Sequence, residues 1–88
     1  MPLIQIEQDS PEVIDSARIL IAAMAEEVCK ILTRGNEAAQ IDKTRETAAV
    51  SGHLNAMQLH GLLSMDTYGD LIAEKVAAVR AAEAAVKG

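Results

Sequence analysis

Two histidines, one cysteine, four central or flanking serines and three glutamates are the side chains of this chain whose types and spacing bear on chemistry. His53 and His60 stand seven positions apart. On a helix that separation is about 20° around the axis and about 10 Å along it, too far to share one ion within a chain. The i, i+4 histidine pair of zinc peptidases is absent. The pair reads as boundary histidines half in solvent; at a packed seam, their protonation below about pH 6 would loosen an assembly. Cys29 is the only cysteine, so no internal disulfide can form, and a reducing, cytoplasmic setting fits. Val28 and Ile31 beside it point to a packed, inert thiol. Ser10, Ser16 and Ser64 have no histidine at a useful spacing, and Ser51 and His53 point away from each other on a helix. Nucleophile elbows, Gly-rich phosphate loops and paired CxxC motifs are missing.

The carboxylates give one family resemblance. Met24-Ala25-Glu26-Glu27-Val28-Cys29-Lys30 resembles, over one or two helical turns, the first metal motif of the MazG-like all-α nucleotide pyrophosphohydrolases. That resemblance implies a small helical oligomer in which EExxE on one helix and ExxD on the next bring four carboxylates to Mg2+. Glu26 and Glu27 match the first motif, and Glu46 matches the first acid of the second. Lys30 stands where the third acid belongs, and Ala49 stands where the aspartate belongs. A cation at that place opposes a divalent ion directly. Glu26, Glu27 and Glu46 are thus weak metal candidates, and a degenerate or divergent relative of these hydrolases is the alternative to a binding protein. No catalytic residue and no cofactor are assigned.

Between Thr47 and Met65 the chain runs nineteen residues without Asp, Glu, Lys or Arg, although 24% of it is charged. Ser51, His53, Asn55, Gln58, His60 and Ser64 make the stretch too polar for a membrane span, and Ile19–Ala25, the longest wholly apolar run, is far shorter than the roughly 20 residues a span needs. Missing charge on a polar helix points to protein contact on more than one side. Net charge is −5, with Glu7, Asp9, Glu12 and Asp15 ahead of the first basic residue, Arg18. Nucleic-acid binders show a basic stripe, so nucleic acid is not an expected partner, and neither is a membrane. No signal peptide is visible.

Eighty-eight residues fit one small domain, and the apolar half is rich in alanine, sixteen in all, with Tyr68 the only aromatic. Alanine favours helix and close backbone approach but buries little area. A core of this kind gains burial by self-association, and a homodimer is expected.

Residues 1–9 read as an extended arm, with Ile4 and Ile6 on one side. Ser10-Pro11-Glu12 is a helix start and Lys30, Arg34 and Gly35 a helix stop, placing helix 1 at 11–34. Ile14, Ala17, Ile21, Met24, Val28 and Ile31 form its seam; Val13, Leu20 and Leu32 widen it, and Ile19 makes its middle apolar nearly all round. Helix 2 is expected at 43–62 with two apolar faces. Ala48, Ala49, Gly52, Ala56, Leu59 and Leu63 form one; Val50, Leu54, Met57, Gly61 and Met65 form the other. Helix 3 is expected at 65–86, capped by Ser64 or Asp66, with Met65, Tyr68, Ile72, Val76, Val79, Ala82 and Val86 as its seam, Leu71 beside it, and Glu74, Lys75, Arg80 and Glu83 outside.

The sequence therefore predicts an all-α, three-helix domain with a short arm, packing as a dimeric bundle. The expected interface comprises Ile14, Ile21, Met24, Val28, Ala48, Gly52, Leu54, Ala56, Met57, Leu59 and Leu63. The chain reads as a regulator, adaptor or inhibitor acting by protein–protein interaction rather than as an enzyme, with a partner protein that one sequence does not identify.

Overall fold

Helix α1 spans Pro11–Arg34, set by the residues at its two ends. The Ser10 hydroxyl accepts a hydrogen bond from the Val13 amide at 3.2 Å, and Pro11 fills the first helical position, where its missing N–H leaves nothing unpaired. Gly35, at φ 62°, takes the left-handed conformation that ends the helix without a Cβ clash. The structure, a computed structural model, describes residues 7–87, and most of the expected arm lies outside them.

Helix α2 covers Ala39–Leu59, starting four residues before the expected 43 and stopping before 62. The early start comes from a polar stretch whose one large apolar residue, Ile41, faces water while Ala39 is buried. Its end is a Schellman turn: the Leu62 amide donates to the Met57 carbonyl at 2.9 Å, the Gly61 amide to that of Gln58 at 3.0 Å, and Gly61 sits at φ 77°. Past this turn the helical wheel no longer applies. Leu63 folds back into the core and Met65 turns to solvent, the reverse of a continued helix.

Helix α3 covers Met65–Lys87, and Ser64 caps it by accepting from the Thr67 amide at 3.2 Å. Asp9 joins the two helix starts. Its amide donates to the Leu62 carbonyl and its carboxylate accepts from the Ser64 amide, both at 2.9 Å. The helices thus run up, down and up. Bonds from α1 to α3 climb together, Arg18 to Glu74 and Cys29 to the Ala82 carbonyl, whereas those from α2 to α3 run in opposite senses, Lys43 to Glu83 and Lys75 to Ser51.

The core follows the stripe of α1. Val13, Ala17, Ile21, Met24, Val28 and Ile31 are buried, and they meet Val50 and Leu54 of α2, Leu63 of the turn, and Leu71 and Ala82 of α3. α1 packs extensively against both other helices, while α2 and α3 meet less. Two expectations give way. Ile19 is 69% exposed and Ala22 and Ala23 face solvent, so α1 is not enclosed. On α3, Ala82 of the expected seam and Leu71 beside it are buried, but Met65, Val76 and Val86 of that seam are exposed. Among the described residues no strand is present, and no helix is long and apolar enough to cross a membrane.

Candidate interaction surface

Helix α2, whose second half lies in the charge-free stretch, resolves into one covered face and one bare face. Val50 and Leu54 point into the core, Leu54 with 0% exposure, and Met57 packs beside them. On the opposite side Ala48, Ala49, Gly52 and Ala56 are all exposed. Leu59 is 72% exposed, and Ile41 is 58% exposed on the same stripe, since 18 residues complete five turns. Asn55 and Arg45 are the polar members of this face, and Arg45 is its only charge. Among the described residues, nothing lies within 4 Å of where a side chain at Gly52 would begin.

The eleven residues expected at an interface divide accordingly. Ile21, Met24, Val28, Leu54 and Leu63 fill the core of the single chain, so their apolar surface is already covered. Ile14 and Met57 are half-buried. Ala48, Gly52, Ala56 and Leu59 stand open, and Ile41 joins them. Sequence reasoning missed Ile41 because the wheel began at 43; its distance from Leu59, five whole turns, was the available signal.

The carboxylates of the hydrolase-like motif have other partners. Glu26 lies 3.7 Å from Lys30, and Glu27 lies 3.6 Å from Arg34. Glu46 is half-buried on α2, and among the described residues no three His, Cys, Asp or Glu side chains gather into a metal-holding group. Lys30 thus acts on the motif as an i, i+4 ion-pair partner. Both His53 and His60 are exposed. Cys29 is half-buried, and its thiol donates to the Ala82 carbonyl at 3.7 Å.

A second surface feature is a groove of 220 Å³ between α2 and α3, lined by Lys43, Thr47, Lys75, Val76, Val79, Arg80 and Glu83. The sequence placed Lys75 and Glu83 on the outer side of α3; both are half-buried against α2. No protein-family model, curated protein or solved structure matches this chain.

Proposed function

We propose that this protein acts by protein–protein interaction, as an adaptor, regulator or inhibitor, and that it self-associates through the outer face of α2. The bare stripe of Ile41, Ala48, Gly52, Ala56 and Leu59 supports this reading most directly. Gly52 adds an energetic argument. Glycine inside a helix costs about 1 kcal/mol relative to alanine, and among the described residues nothing approaches closely enough to need its smallness. A second helix laid against the stripe would need it.

The pattern also suits a two-fold axis. Ile41 and Leu59 lie nine positions either side of Val50, and Ala48 and Gly52 lie two either side. Antiparallel pairing about that centre sets Ile41 of one protomer against Leu59 of its partner, with small residues crossing between them. Large side chains at the ends and small ones in the middle allow close backbone approach and apolar contact together.

Analytical ultracentrifugation over a wide concentration range is the test. Wild-type chain should sediment as a concentration-dependent dimer, and Gly52→Leu and Leu59→Glu should sediment as folded monomers with unchanged helical circular dichroism. A wild-type monomer at every concentration overturns self-association. A dimer indifferent to both substitutions overturns this face.

A further inference from the structure

The groove between α2 and α3 concentrates positive charge in a negative chain. Lys43, Lys75 and Arg80 line it against the single carboxylate of Glu83, a local net of +2 in a molecule of net −5. The three cations are satisfied unequally. Lys43 pairs with Glu83 at 3.6 Å, and its side chain is only 20% exposed. Lys75 donates to the neutral Ser51 hydroxyl, which leaves two of its three N–H donors and its full charge unmatched. Among the described residues, no carboxylate lies within salt-bridge distance of Lys75 or Arg80. The nearest acid before them on α3, Glu74, is turned away to Arg18 at 3.1 Å. The chain has thirteen acidic residues, yet among the described residues these two cations beside one groove have no carboxylate as an ion-pair partner.

The same groove carries an apolar patch. Val76, 38% exposed, and the half-buried Val79 line the groove on α3 between Lys75 and Arg80. A ligand matching this arrangement carries two negative charges on one head and a short apolar body. The guanidinium of Arg80 presents a planar fork suited to two oxygens of one group, while the ammonium of Lys75 is a point charge with donors left for another. A carboxylate would leave one cation uncompensated; a phosphate dianion compensates both. The volume is below the roughly 300 Å³ at which pockets for drug-sized ligands begin, which restricts the occupant to a small molecule.

We propose that this groove binds a small phosphate monoester, with Arg80 and Lys75 holding the phosphate, Val76 and Val79 contacting the organic part, and Glu83 opposing it. The proposal is independent of self-association, since its residues lie outside the Ile41–Leu59 stripe. The test is titration of 15N-labelled full-length protein with n-butyl phosphate, alongside inorganic phosphate and n-butylamine. Saturable amide shifts should appear at Thr47, Val76, Val79 and Arg80 with butyl phosphate, more weakly with inorganic phosphate, and not with the amine. Arg80→Gln and Lys75→Gln should each weaken binding by about tenfold. Glu83→Gln should tighten it by freeing Lys43, and Lys30→Gln, on the far end of α1, should leave it unchanged. The spectrum itself reports whether each variant is folded. Absence of saturation in wild type, or equal weakening by Lys30→Gln and Arg80→Gln, overturns the proposal.

Discussion

Asp9 joins residues 55 positions apart. It adopts φ 59°, a left-handed conformation that aspartate and asparagine tolerate better than most side chains, and from there its carboxylate reaches the Ser64 amide at 2.9 Å. Hydrogen bonds from the Ser64 backbone and then its side chain, with a smaller one from Thr67, hold the Asp9 carboxyl below its ordinary pKa against a weaker desolvation effect. A depressed folded-state value means that this contribution to stability is present above the unfolded carboxylate pKa of about 3.9 and is lost as pH falls through the folded value. Melting curves across the acidic range should therefore show wild type losing stability below about pH 4. Asp9→Asn keeps an acceptor and the left-handed conformation, so its profile should be shallower there. Asp9→Ala should melt lower at neutral pH as well; identical acid slopes for wild type and Asp9→Asn would remove Asp9 from the account. Ser10 and Gly35 were legible in the sequence because their work is done within one turn. Asp9 was not, since its partner is distant and an acid near a helix start has a simpler local explanation.

Among the elements, α2 shows where periodicity informs and where it stops. Its two apolar arcs are visible in the sequence, but the choice of inward face is not, because both arcs carry apolar residues. The fold buries Val50 and Leu54 and leaves Ala48 and Gly52 outside, as expected where larger side chains remove more apolar area from water. Substitutions on the two faces should then have opposite effects. Leu54→Ala should cost about 2 to 5 kcal/mol in chemical denaturation, the range for a buried leucine. Gly52→Ala, with open space at its Cβ, should stabilise the isolated chain by about 0.5 to 1 kcal/mol. A destabilised Gly52→Ala chain under monomeric conditions would show a close contact inside the fold. The α3 stripe was legible only in part. Ala82 of the expected seam is buried and Ala78 packs beside it, while Val76 and Val86 of the same seam are left near solvent.

At the scale of the molecule, the two surfaces should respond differently to salt. The proposed association through α2 would bury apolar groups and a single charge type, Arg45, so its dimer constant should change little between low and moderate sodium chloride and should carry a negative heat-capacity change by calorimetry. Steep weakening with salt would indicate an electrostatic interface in its place. Occupancy of the groove should instead fall as salt screens Lys75 and Arg80. The all-helical architecture was readable from caps and periodicity. The groove was not, because nothing local shows that α2 and α3 share the thinner seam. That seam also orders how the structure breathes. α2 has no side-chain cap at Ala38 and carries a glycine in its middle, whereas α1 is capped by Ser10 and lines the core along its length. Native-state hydrogen exchange should release the amides of α2 first and those of α1 only on global unfolding, so the helix that carries the bare stripe is also the one that most easily comes away.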